Sequence, residues 1–219
     1  MVVQGLIACT LLTVSVAHAR LPGNTNRDLP VLKTSAQYLW PEFAHVHLLA
    51  GQVEQESGWK SRAELRTSRE YGFGYGQFTT VYNSDNSERF NKWRELRSQY
   101  SELAGWVWDK RFDPYYQLSA VVLLDRSLFR SLPGGVTGPD REDMTFAAYN
   151  GGLGGVLSER RLCAAKPRCN PNRWTGHVAL HSNKSRTRHK GYGKSFFEIN
   201  REYPVLVRKR GEKYKHALH

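Results

Sequence analysis

The chain is organised around Val53-Glu54-Gln55-Glu56-Ser57-Gly58-Trp59. This stretch is predicted to close a helix and to place a carboxylate at the edge of its buried face. On a helix over residues 41–57 the apolar side chains share one face, and Glu56 lies at its rim. Gly58 suits the left-handed conformation that closes a helix. A carboxyl group packed against hydrocarbon loses hydration, which raises its pKa, so Glu56 is a candidate catalytic acid. Periodicity alone also allows an ordinary polar helix end and keeps Glu54 as an alternative.

The composition favours one compact, basic domain. The chain has 219 residues, of which 40% are hydrophobic and 12% aromatic, enough for one sizeable core. Its formal net charge of +12 indicates a polyanionic partner. Nucleic acid, an anionic membrane and an acidic cell-wall polymer would each satisfy that charge. We expect a monomer.

Residues 1–19 predict a cleavable export signal. They carry no Lys, Arg, Asp or Glu, and their apolar core ends in Ala17-His18-Ala19, a small-residue cleavage pattern. The apolar run is short for a bilayer span, so no permanent membrane anchor is expected. The protein would then be periplasmic or secreted, with a releasable membrane anchor as the alternative.

Removal of this signal leaves two cysteines, Cys163 and Cys169. In an oxidising compartment we expect them to form a disulfide that closes a small loop. The two residues lack the second Cys or His pair that zinc sites use, so no metal is expected.

The remaining pattern predicts a mainly α chain. Residues 20–33, rich in proline, asparagine and arginine, indicate a loose N-terminal arm. The first helix is expected to begin near Thr34 or at Pro41. Further helices are predicted over residues 87–108, 113–132 and 139–150.

One stretch differs from the rest of the chain in its residue pattern. Tyr71-Gly72-Phe73-Gly74-Tyr75-Gly76-Gln77-Phe78 alternates glycine with aromatic residues. This pattern favours a glycine-rich hairpin or loop that either approaches a ligand or packs on the core.

Residues 161–219 form a basic C-terminal extension, which we expect to pack on the domain. From His181 onward the chain has 11 Lys or Arg and 3 Glu. Residues 196–204 predict a short helix that Pro204 stops. The basic face could bind a wall polymer or serve solubility alone.

Three stretches together resemble the motifs of the soluble lytic transglycosylase catalytic domain, in the same order: Glu56-Ser57-Gly58, Gly74-Tyr75-Gly76-Gln77 and Ala148-Tyr149-Asn150-Gly151-Gly152. The resemblance implies a lysozyme-like catalytic domain over residues 34–160, a groove for peptidoglycan glycan strands, and no cofactor. Beyond Gly155 the resemblance weakens. The basic segment is similar to extensions of some phage-encoded or prophage-encoded relatives, which suggests an endolysin.

The resemblance also implies roles for matching residues. Glu56 is similar to the single acid that protonates the glycosidic oxygen. As a base it then takes the proton from the C6 hydroxyl of the same N-acetylmuramic acid, which closes a 1,6-anhydro ring. This internal nucleophile removes the need for a second carboxylate. The residues expected to contact the substrate are Ser57, Tyr75, Gln77, Tyr149 and Asn150.

The chain departs from the family at Gly76, where methionine is usual, so contacts at that subsite are expected to differ. Glu64 and Glu70 lie where some goose-type lysozymes keep acids that help water to attack. A hydrolytic lysozyme is therefore the nearest alternative. A basic nucleic-acid binder is the alternative from another class, but the chain has a leader and no known nucleic-acid-binding signature, so no nucleic-acid partner is expected.

Overall fold

The computed structural model describes residues 21–190 and 193–218, and the predicted signal peptide over residues 1–19 lies outside them. The described residues are mostly helical with one small antiparallel sheet, which confirms the predicted mainly α class. The helices are α1 (Thr25–Leu39), α2 (Val46–Ser57), α3 (Lys92–Gln99), α4 (Pro114–Ser131), α5 (Gly138–Gly151), α6 (Leu153–Ala164) and α7 (Phe196–Gly211). The strands are β1 (Glu64–Arg66), β2 (Glu70–Phe73), β3 (Phe78–Tyr82) and β4 (Glu88–Asn91). Within these residues, no helix is both long and apolar enough to cross a membrane.

The N-terminal arm predicted over residues 20–33 is wrong for most of its length, because α1 begins at Thr25. Leu29 and Leu32 are buried in the main core. Pro30 lies inside the helix, beyond its first turn, so it removes one backbone hydrogen bond, to the Asn26 carbonyl group. Burial of this apolar face therefore outweighs the polar composition that suggested a loose arm.

Helix α2 lies between α1 and α7 and carries the decisive stretch at its end. It begins at Val46 rather than at Pro41, since residues 40–45 form a turn between α1 and α2. Its middle is packed so closely against α7 that a Cβ atom on Gly51 would lie 2.4 Å from the Val207 carbonyl oxygen. Glycine at this position allows the two helix backbones to meet.

The glycine-aromatic stretch forms a hairpin. Strands β2 and β3 pair antiparallel, with Tyr71 opposite Thr80 and Gly72 opposite Thr79, and residues 74–77 connect them. The sheet order is β1-β2-β3-β4. The long helix predicted over residues 87–108 is wrong at its start, because Glu88–Asn91 is the fourth strand and only Lys92–Gln99 is α-helical.

Helix α4 confirms the predicted start signal. The Asp113 side chain accepts a hydrogen bond from the Tyr115 backbone N–H, and Pro114 occupies the first turn. The helix is nearly buried, and its residues 118, 120, 121, 122 and 123 are each at most 1% exposed. It packs against α1 and α5.

The C-terminal extension is part of the same body. Helix α7 continues past Pro204 to Gly211, so the predicted stop is wrong. Its buried face packs against α2 and α5, where Tyr203 and Val207 join Leu48 and Phe146 in one apolar cluster. That packing offsets the hydrogen bond that proline cannot make.

The segment between α6 and α7 is held by a buried carboxylate and a disulfide. Glu159, 1% exposed, pairs with Lys184 at 3.0 Å and with Arg201 at 2.9 Å. Cys163 and Cys169 are bonded to each other, with their Cα atoms 5.3 Å apart. These contacts fix the path that brings α7 back to α2.

Candidate active site

Glu56 lies in the last turn of α2. Gly58 closes the helix with φ 58°, and its N–H donates to the Glu54 carbonyl oxygen. The Tyr203 hydroxyl, from α7, donates a hydrogen bond to the Glu56 carboxyl group. Burial raises the pKa of Glu56 to about 7, against the opposing effect of the Tyr203 hydrogen bond. A carboxyl with this pKa can give up and regain a proton near neutral pH.

Glu54, the alternative acid, has the opposite environment. Its carboxyl group is paired with Lys213 at 2.8 Å and Arg210 at 3.0 Å, and it accepts the Tyr214 hydroxyl hydrogen bond. Burial alone would raise the pKa of Glu54, but these hydrogen bonds lower it below the usual value. Glu54 is thus a permanent carboxylate that holds the C-terminal residues on α2.

Two stacked tyrosines connect Glu56 to the hairpin. The Tyr149 ring lies 6.5 Å from the Tyr203 ring at an interplanar angle of 11°. The Tyr149 hydroxyl donates to the Gly76 carbonyl oxygen at 2.8 Å. Burial, followed by the charge of Glu56, raises the pKa of both tyrosines well above the usual value, so both remain hydrogen-bond donors.

Packing explains why position 76 is glycine rather than the methionine that is usual in the family that the sequence resembles. A Cβ atom there would lie 2.6 Å from the Tyr149 hydroxyl oxygen and 2.9 Å from a Val121 methyl group. A larger residue would displace Tyr149, so the glycine and the tyrosine position are mutually dependent.

A groove of about 560 Å³ runs beside these residues. Its lining includes Gly76, Gln77, Tyr149 and Asn150, which brings the second and third sequence motifs together. Gln77 adopts φ 45° and donates its side-chain amide to the Gly74 carbonyl oxygen at 2.9 Å. Glu56 is not part of this lining, and it is connected to the groove through Tyr203 and Tyr149.

Two predicted substrate contacts differ from expectation. Tyr75 is 0% exposed and its hydroxyl donates to the Asp28 carboxylate, so it supports α1 rather than a ligand, and this prediction is wrong. The Ser57 hydroxyl donates to the Val53 carbonyl oxygen at 2.9 Å within α2. The Ser57 hydroxyl therefore hydrogen-bonds within its own helix, and Ser57 is not among the described residues that line the groove.

Asn150 is exposed at the end of α5. Its side-chain oxygen accepts from the Asn200 amide at 3.0 Å, and Asn200 also donates to the Ala147 carbonyl oxygen at 2.9 Å. The α7 residue thereby fixes the helix end that carries Tyr149.

The two further acids lie on opposite faces of the sheet. Residues directly opposite in an antiparallel pair share a face, which groups Glu64 and Arg66 with Tyr71 on one side. There Glu64 accepts the Tyr71 hydroxyl hydrogen bond. Glu70 lies on the other face and lines the groove with Gln77. Only Glu70 is placed beside the groove.

Sequence reasoning missed three residues at this site. Tyr203 belongs to a predicted short helix in the basic extension, and the local sequence does not indicate that Glu56 is its partner. Gln52 and Asp125 are both 0% exposed and face each other from α2 and α4. An Asp inside the apolar run of α4 was the available signal, since an acid is rarely buried without a reason.

Comparisons with known proteins identify no family. No protein-family model matches the chain, and no similar sequence is found among curated proteins.

Proposed function

We propose that the protein is a peptidoglycan lytic transglycosylase with a lysozyme-like fold, in which Glu56 is the acid and base. One observation carries the proposal: the half-buried carboxyl group of Glu56, with a pKa of about 7, accepts the hydrogen bond of the buried Tyr203 hydroxyl beside a groove. General acid and base catalysis needs a group that holds a proton and can also release it. Export to the periplasm or cell exterior, through the predicted signal, belongs to the same proposal.

In the first step the protonated Glu56 donates its proton to the oxygen of the β-1,4 bond between N-acetylmuramic acid and N-acetylglucosamine. The C1–O bond breaks with its electron pair on the leaving oxygen, and positive charge develops at C1. The ionised Glu56 then takes the proton of the C6 hydroxyl, and O6 forms the bond to C1. The proton count balances, no water enters, and the product is a 1,6-anhydro sugar.

The tyrosines support both protonation states. The Tyr203 hydroxyl donates to Glu56, which stabilises the carboxylate formed after the first step. Tyr149 holds the hairpin backbone at Gly76 and stacks on Tyr203, so the groove wall and the acid keep a fixed relation. The net charge of +12 favours an acidic wall polymer as substrate.

A hydrolytic lysozyme is the second candidate, and the position of Glu70 favours it. Glu70 lines the groove with Tyr149 and Gln77, where a carboxylate could direct water to C1. In that reaction water replaces the C6 hydroxyl as the nucleophile, and the new chain end is a reducing sugar.

Mass analysis of fragments from purified sacculi separates the two reactions. Anhydro ends, lighter than reducing ends by one water, support the transglycosylase, whereas only reducing ends would reject it in favour of hydrolysis. Glu56→Gln should abolish either reaction, because an amide does not donate the required proton. Undiminished cleavage by this variant would show that Glu56 is not the acid.

Glu70→Gln is the matched control. The transglycosylase mechanism requires no second carboxylate, so this variant should keep the anhydro products and most of the rate. A loss of all activity in Glu70→Gln, with normal folding, would assign the site to hydrolysis. DNA retention at physiological salt tests the nucleic-acid alternative on the same protein.

A further inference from the structure

A second carboxyl group lies beneath Glu56. Gln52 and Glu56 are four residues apart on α2 and so share one face, with Cβ atoms about 5–6 Å apart. Asp125 on α4 accepts a hydrogen bond from the Gln52 side-chain amide at 3.4 Å. Asp125 is therefore placed about one helical turn below the acid, in the interior of the protein.

The surroundings of Asp125 do not suit a charge. It is 0% exposed, and the Gln52 amide is its one hydrogen-bond donor among the described residues. The second Asp125 oxygen, Oδ2, and the Gln52 Oε1 atom are buried without a partner in this part of the chain. A buried carboxylate is stabilised by several donors or by a cation, and one long hydrogen bond is much less than that.

The titratable groups that interact with Asp125 come from three other helices. Glu56 comes from α2, Tyr149 from α5 and Tyr203 from α7, and all three interact electrostatically with Asp125. On α4 itself the neighbouring Arg126 points away and donates to the Leu39 carbonyl oxygen of α1. Burial raises the pKa of Asp125 well above its usual value, and the charge of Glu56 raises it further.

We propose that Asp125 is an uncharged positioning residue, which holds Gln52 in the packing beneath Glu56 and keeps a second negative charge out of the pocket while Glu56 cycles. Its catalytic consequence rests on the proposed function, but its protonation state does not. With a neutral Asp125, the carboxylate formed on Glu56 after proton donation has no like charge below it. With an ionised Asp125, repulsion would hold the proton on Glu56 and oppose the first step.

The first test needs no substrate. Carbon-13 NMR of labelled aspartate carboxyl groups, with Asp125→Asn to assign the signal, follows the protonation of Asp125 directly. We expect Asp125 to remain protonated through neutral pH, both in the wild-type protein and in Glu56→Gln. Titration of Asp125 in the usual aspartate range would overturn the proposal.

The second test uses sacculus cleavage. In Asp125→Leu the Gln52 amide loses its partner, and kcat should fall by about 100-fold with KM unchanged, as expected for a displaced catalytic group. Asp125→Asn, a neutral residue of the same shape, should restore kcat. It should also leave the alkaline limb of the pH–rate profile, which reports the ionisation of Glu56, at the wild-type pH. A limb that moves to lower pH in Asp125→Asn would show that Asp125 is normally charged.

The two proposals fail in different ways. If the wild-type protein cleaves no sacculi, the proposed function is rejected, and the carboxyl titration still decides the state of Asp125. If cleavage proceeds and Asp125→Leu matches the wild-type kcat, the positioning role is rejected while the function stands.

Discussion

Glu56→Gln should make the folded protein more stable at neutral and alkaline pH. Burial raises the pKa of Glu56 from 4.5 to about 7, so the folded state binds this proton more tightly than the unfolded state does. The amide has the same shape, carries no charge and keeps an oxygen that accepts the Tyr203 hydrogen bond. The substitution therefore removes the free-energy cost of ionising a half-buried carboxyl group.

The magnitude follows from the pKa difference, 7 − 4.5 = 2.5. At about 1.4 kcal/mol per pKa unit, the free energy of unfolding of the wild-type protein falls by at most about 3.5 kcal/mol. Below about pH 4.5 both states hold the proton and this loss is absent. It grows as the unfolded state ionises and is complete above about pH 7, so the advantage of Glu56→Gln grows over the same range.

Urea unfolding of the oxidised protein at about pH 4 and about pH 8 measures this difference. Glu54→Gln is the matched control, two residues away on the same helix. Burial raises the pKa of Glu54, but the hydrogen bonds from Lys213, Tyr214 and Arg210 lower it overall. Its loss should therefore cost stability, and the cost should grow with rising pH. The reasoning is refuted if the difference in free energy of unfolding between Glu56→Gln and the wild-type protein stays constant or shrinks from about pH 4 to about pH 8.

Three further changes test other contacts of the site. Tyr203→Phe removes the hydrogen bond that lowers the pKa of Glu56, so the alkaline limb of the pH–rate profile for sacculus cleavage should move to higher pH. An unchanged alkaline limb would show that Tyr203 does not influence the acid. Gly76→Ala places a methyl group 2.6 Å from the Tyr149 hydroxyl, so it should lower the free energy of unfolding by about 1–3 kcal/mol and reduce cleavage. Wild-type stability in urea together with wild-type cleavage would contradict this. Reduction of the disulfide should lower the free energy of unfolding by about 2.4 kcal/mol on the chain-entropy estimate, measured by urea unfolding with and without reductant, and a loss of all folded protein would contradict a merely local role.

The sequence predicted the parts of the site that lie within single elements. The end of α2 follows from Gly58, whose φ of 58° is the left-handed conformation expected of a helix-closing glycine. The start of α4 follows from Asp113 and Pro114, which act inside one turn. These signals are short-range, so one stretch of sequence contains both the cause and the effect.

The predictions failed where tertiary packing decides. The helix over residues 25–33 is stable because Leu29 and Leu32 enter the core, although the polar and proline content of that stretch disfavours a helix. Tyr75 matched a motif that suggested a ligand contact, yet its hydroxyl is taken by Asp28. In each case the deciding partner is distant in sequence, and the local pattern carries no information about it.

The acid itself shows the same division. Periodicity placed Glu54 and Glu56 on two edges of one helix and could not choose between them. The choice is made by α7 and the residues after it. Arg210, Lys213 and Tyr214 hold Glu54 as a carboxylate, while Glu56, half-buried beside Tyr203, has a pKa of about 7. The basic extension is therefore what makes two neighbouring glutamates chemically different. A chain that lacked α7 would leave both carboxyl groups hydrated, with ordinary pKa values, and would lack the acid on which the proposed chemistry depends.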